Sequence, residues 1–130
     1  GEPRSWRVGE AFEQVAHHFL RRIARPLPGS AMLLHCLHLT KTRRSRYDHY
    51  MLGLHDAMKA DRRYQAGVKY TAIDFPPGAS WLVYTDQVSH AAMAGRCAFE
   101  QTFYLPVSAM VDESGSPLRT LERLLHRPLI

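Results

Sequence analysis

The sequence predicts an α+β fold, and three observations predict it. Between Glu10 and Lys59 apolar residues recur every three or four positions, the spacing of one helix face. From Val68 the period drops to two, as along a strand. Helical spacing then returns behind Ser116. Residues 1–66 are thus expected to be mainly helical, 67–106 to supply strands and 116–127 to form a closing helix. Together they make a single domain over 1–130, with about four helices packed on a sheet.

Ser5-Trp6-Arg7-Val8 reads as a short extended lead-in or edge strand. Phe12, Val15, Ala16, Phe19 and Ile23 then line one helical stripe, which Pro26 and Pro28 stop. Pro28-Gly29-Ser30 opens a second helix through Met32, Leu33, Leu34 and Leu37. Its His35 and His38 have a spacing that can hold a metal, but no third ligand lies near. Ser45 followed by Asp48 has the pattern of a capping box, ahead of a helix striped with Tyr47, Met51, Leu54 and Met58. Asp61-Arg62-Arg63-Tyr64-Gln65 adds a turn or two before Gly67. Strands are expected at 68–75, 81–84, 90–94 and 97–105, the first feeding the turn Pro76-Pro77-Gly78. Ser116 with Pro117 behind it begins the last helix, whose apolar face is Leu118, Leu121 and Leu125.

Composition bounds the possibilities. A hydrophobic content of 45% with 22% charged residues is that of a globular chain. No apolar run is long enough to form a membrane-spanning helix. The chain begins Gly1-Glu2-Pro3-Arg4, with neither Met nor a signal peptide, so Gly1 is not expected to start the gene product. Cys36 and Cys97 form no disulfide framework and read as buried free thiols, which suits a reducing cytoplasm. A net charge of +5 favours anionic partners. Nucleic acid is the least favoured of these. No recognised motif for it occurs, and Trp81, Phe99 and Phe103 are expected to be buried rather than displayed for stacking.

The stretch from Trp81 to Leu105 carries the most chemical information. A two-residue loop at Gly95-Arg96 would pair Ala94 with Cys97, Ala92 with Phe99 and His90 with Gln101. One imidazole and one amide then face each other on an otherwise apolar surface, where both need partners. They bond each other or a loop carbonyl, or else a ligand or metal supplies the bond.

Three blocks carry a resemblance. They are Tyr47-Asp48-His49-Tyr50-Met51-Leu52-Gly53-Leu54-His55-Asp56, Thr85-Asp86-Gln87-Val88-Ser89-His90-Ala91-Ala92 and Ser116-Pro117-Leu118-Arg119-Thr120-Leu121-Glu122-Arg123. In this order they resemble the Kdo hydroxylase family of the iron(II)/2-oxoglutarate-dependent dioxygenases, over most of the chain. The resemblance implies part of a double-stranded β-helix, a jelly-roll or cupin-like half barrel. It also implies hydroxylation of the 3-deoxy-octulosonic acid (Kdo) sugar of lipid A. Iron(II) and 2-oxoglutarate are the implied cofactors, with ascorbate a further candidate.

By resemblance His90 is the distal metal ligand of a His-x-Asp…His triad. No His-x-Asp occurs in the sequence, and His55-Asp56 is adjacent, so these 130 residues alone are expected to be inactive. Gln101 stands where the superfamily's basic 2-oxoglutarate anchor is expected, and an amide carries no charge. Asp86 and Ser89 are candidates to orient the second nitrogen of His90. His55 and Asp56 are read first as a buried polar pair tying helix to sheet, and second as substrate contacts. The implied partner is Kdo-lipid A or a related anionic glycolipid, with peripheral membrane contact at the cytoplasmic face of the inner membrane. The alternative is a non-catalytic β-helix module that binds an anionic glycolipid.

Overall fold

A computed structural model describes residues 2–130. In chain order it contains β1 (Arg4–Ala11), α1 (Phe12–Phe19), α2 (Ser30–Cys36), α3 (Arg46–Ala60), α4 (Arg62–Gly67), β2 (Thr71–Phe75), β3 (Val88–Ala94) and α5 (Pro117–Leu125). Short 3-10 turns lie at Leu20–Arg22, Thr85–Gln87 and Val107–Ala109. The architecture is mixed, with helices beside an antiparallel sheet of three strands in the order β2-β1-β3.

The helices follow the apolar periodicity. α1, α3 and α5 close on one core of Phe12, Val15, Ala16, Phe19, Tyr50, Leu54, Leu118, Leu121 and Leu129. Ser45 caps α3 by accepting from the Asp48 amide, and the Asp48 carboxylate accepts from the Ser45 amide at 2.9 Å. That reciprocal pair satisfies two N–H groups the first helical turn leaves open. Ser116, itself buried, caps α5 in the same manner by accepting from the Arg119 amide at 3.2 Å. Ion pairs tie the helical layer at its rim, Arg123 to Glu13 across α5 and α1 and Arg22 to Asp61 across the start of α4. Tyr50 is buried beneath Arg127, which donates to its hydroxyl.

The sheet departs from expectation. The lead-in is not an edge: β1 is the central strand and pairs β2 through Arg4↔Phe75, Trp6↔Ile73 and Val8↔Thr71. On its other side it pairs β3 through Trp6↔Ala92 and Val8↔His90. Residues 81–84 and 97–105 are not strands. Alternation shows which side chains share a face, whereas a strand also needs a neighbour to receive its N–H and C=O groups. Gly95 does adopt a positive φ of 106°, but the chain beyond it runs off the sheet, and Arg4 donates to the Gly95 carbonyl at 2.9 Å. Among the described residues five helices form rather than about four, and α2 contributes no residue to the core.

Three burial expectations also fail. Cys36 and Cys97 are exposed free thiols. Phe99 and Phe103 stand in solvent, and only Trp81 is partly covered. His55 and Asp56 form an exposed pair at 3.1 Å on α3 rather than a buried tie to the sheet. Cys36, Cys97, Phe99 and Phe103 lie on segments that the helical core does not reach, whereas His55 and Asp56 sit on the outer side of α3, whose Leu54 belongs to that core.

Candidate functional site

β1 and β3 together build the setting of His90. Strand pleating puts Trp6, Val8, Ile73, His90 and Ala92 on one face, because cross-strand partners share a side. On that face the His90 imidazole stacks flat against the Trp6 indole, with centroids 5.2 Å apart and planes at 12°. Trp6 in turn meets Phe75 and Trp81 edge-on, and Phe75 and Trp81 stack at 4.0 Å. The ring of His90 is therefore held by an aromatic wall, while its residue as a whole remains exposed.

The wall fixes orientation, and a hydrogen bond fixes the proton. His90 Nδ1 lies 3.2 Å from the Val88 carbonyl oxygen. A carbonyl can only accept, so Nδ1 carries the hydrogen and the neutral ring presents its lone pair at Nε2. A backbone carbonyl on one ring nitrogen is the usual support for a histidine that ligates through the other. This donor set fits one corner of a metal site. Among the described residues no group of three His, Cys, Asp or Glu side chains comes within reach of a common ion. The remaining ligands of a facial triad are therefore not assembled by these residues.

The other sequence-predicted residues fall elsewhere. His90 stands opposite Val8, not Gln101, and the Gln101 amide is exposed and donates to the Thr102 carbonyl. The expected pairing failed because it required a strand at 97–105. Neither Asp86 nor Ser89 bonds His90. Ser89, one residue along β3, donates to the Glu10 carbonyl on the far side of the sheet at 3.2 Å. The charge of Asp86 is felt instead at Tyr47, whose phenol burial, then Asp86, then Asp48 push up to about 12. His38 lies beyond the end of α2 with a positive φ of 55°, so it shares no helix face with His35. The residue that sequence reasoning missed is Trp6. The available signal was an aromatic alternating with Arg7 in a short extended segment.

A second group joins sheet to helix. The Tyr64 hydroxyl of α4 donates to the Glu10 carboxylate of β1 at 2.7 Å. Burial first, and then Glu10, hold the Tyr64 phenol above its ordinary range. The bond anchors the β1 end near His90 to the helical layer.

Comparison with known proteins places this geometry in a class. The chain superimposes on the crystal structure of the Kdo hydroxylase KdoO, described as a non-heme Fe(II) alphaketoglutarate dependent dioxygenase, in complex with alphaketoglutarate and Fe(III). The TM-score is 0.95 and the identity 47%, over 100% of this chain and 44% of that chain. The KdoO complexes with succinate and Fe(III) and with cobalt(II) match with the same values. No curated protein matches. The model of the 3-deoxy-D-manno-oct-2-ulosonic acid (Kdo) hydroxylase family matches residues 1–128, and the chain belongs to that family. It spans less than half the length of the KdoO chains it matches.

Proposed function

We propose that this chain is the part of an iron(II)/2-oxoglutarate-dependent dioxygenase that carries the distal iron ligand, in a protein hydroxylating the Kdo sugar of lipid A. The observation that carries this reading is the setting of His90: its ring is stacked on Trp6 and its Nδ1 lies 3.2 Å from the Val88 carbonyl, an arrangement that leaves the Nε2 of a neutral ring free to ligate. The three strands are then one part of a double-stranded β-helix, completed by chain outside these residues. The openness of the His90 face supports this, since none of the buried core residues comes from the sheet.

In the bound state iron(II) with 2-oxoglutarate supplies the oxidising chemistry that inserts oxygen into a C–H bond. The role of this chain is positional. Trp6 keeps the imidazole plane fixed, Val88 keeps the proton off Nε2, and the Trp6–Phe75–Trp81 wall excludes water from one side of the ligand. His90 would hold the metal through Nε2, and a His-x-Asp pair outside this chain would complete the triad. Gln101, exposed and uncharged, would reach the co-substrate only if its loop reorders against the rest of the protein. His55 and Asp56 remain exposed polar groups available to a glycolipid substrate. The reading places the protein in the cytoplasm, at the inner-membrane face where that substrate is made.

The test uses the full-length protein that contains this chain. Anaerobic titration with iron(II) and 2-oxoglutarate should give stoichiometric binding, and mass spectrometry of Kdo-lipid A should show the gain of one oxygen atom. His90→Ala should weaken iron binding by about a hundredfold or more, the upper end of what supporting residues alone cost. Unchanged iron affinity in that variant would remove His90 from the metal site. Absence of iron binding in the wild type would favour a non-catalytic glycolipid-binding module.

A further inference from the structure

We infer that the exposed segment from Leu27 to Arg46 is a docking surface for an anionic lipid bilayer. Two independent observations meet there. The first is exposure: Leu27, Met32, Leu33, Leu37 and Leu39 are between 57% and 75% exposed, and none of them belongs to the core or packs against it. Single exposed apolar residues are ordinary, but five within thirteen positions form a patch that needs a partner.

The second is charge. Residues 27–46 hold four of the chain's 17 basic residues, Lys41, Arg43, Arg44 and Arg46, and none of its 12 acidic ones. The remainder of the chain is therefore close to neutral, with 13 basic and 12 acidic residues, and most of the net charge of +5 belongs to this segment. Among the described residues Arg43, Arg44 and Arg46 form no ion pair. A cleft of about 630 Å³ joins the two features, lined by Leu27, Met32 and Leu34 together with Arg43, Arg44 and Arg46.

Apolar side chains rimmed by uncompensated cations match a bilayer interface, where acyl chains take the former and phosphates the latter. An internal contact with more polypeptide is a poorer match, because burying unpaired guanidinium groups is costly. The short helix α2 would lie flat, as no helix of the described residues is long and apolar enough to cross a membrane. The inference rests on the proposed inner-membrane placement for its occupant, and its failure would leave the proposed reaction standing.

The experiment is vesicle co-sedimentation of the full-length protein that contains this chain. Vesicles of phosphatidylcholine alone are compared with phosphatidylcholine and phosphatidylglycerol. The protein should pellet with the anionic vesicles only, and added salt should release it. Arg43→Glu with Arg44→Glu should weaken binding by about tenfold or more. Leu33→Ser with Leu37→Ser should weaken it while leaving the salt dependence in place. Both pairs lie outside the helical core, and circular dichroism checks that each variant is folded. Hydroxyl-radical footprinting without vesicles should label Leu33 and Leu37, and vesicles should protect them. Equal binding to neutral vesicles, no binding, or protection of these leucines before vesicles are added would each overturn the inference. The last result would assign the patch to another part of the polypeptide or to a second copy. Oxidation of a water-soluble Kdo glycoside, measured in parallel, reports the proposed reaction separately.

Discussion

The stacked pair of Trp6 and His90 puts a large aromatic on the strand that faces a metal-ligating candidate. Stacking at 5.2 Å restricts ring rotation, so Trp6 acts through His90 as a positioning residue. Trp6→Ala should loosen the imidazole and lower iron(II) affinity of the full-length protein by about tenfold to a hundredfold, as loss of a supporting contact does at other metal sites. Trp6→Phe keeps an aromatic face and should restore most of that affinity. A purely structural role would instead lower stability in both variants without separating their iron affinities. Titration with iron(II), beside a denaturant curve for each variant, checks this. The buried Trp6 Nε1 hydrogen has no partner among the described residues, a cost that the indole's packing must offset.

Among the elements, the helices were legible and the sheet was only half so. Phe12, Val15, Phe19 and Leu118, Leu121 announce their faces by spacing, and Ser45 and Ser116 mark their starts by cap chemistry. All of these signals are local, so one sequence suffices to read them. β1 is different. Its residues are half-buried apart from the exposed Arg7 and Ala11, they include Arg4, Ser5 and Glu10, and nothing local marks it as the centre of a sheet. The segment 97–105 errs in the other direction, with a clean alternation and no neighbour to pair with. For the candidate site, the sequence singled out His90 as a candidate ligand only with the family resemblance added, and its stacking partner lies some eighty residues earlier in the chain. The local devices have measurable weight. Ser116→Ala removes the α5 cap at a buried position and should cost about 1–2 kcal/mol of unfolding free energy, read as a fall in the urea midpoint at unchanged slope.

At the scale of the whole molecule, alkaline pH should be a point of weakness. The Tyr47 phenol is raised from an ordinary value of 10 to about 12 by burial and by Asp86 and Asp48. Between those values the unfolded chain releases the proton while the folded chain keeps it. Unfolding is therefore favoured as pH rises, and stability present below pH 10 is lost towards pH 12. Tyr64, raised in the same direction, adds to the slope. Tyr47→Phe should flatten the decline, measured as urea midpoints at neutral pH and across that alkaline interval. An unchanged decline would show that Tyr47 does not carry it.

The central place of β1 has a consequence for how the molecule is made. A ribosome releases residues 4–11 well before residues 71–75 and 88–94, to which both of their ladders run. Within this chain β1 must wait for both partners while the helices behind it condense on local contacts. The sheet can close only after those long loops are tied, a step slow by topology. During that interval these partners leave Trp6 uncovered, so a chaperone or a stalled neighbour would find a foothold there.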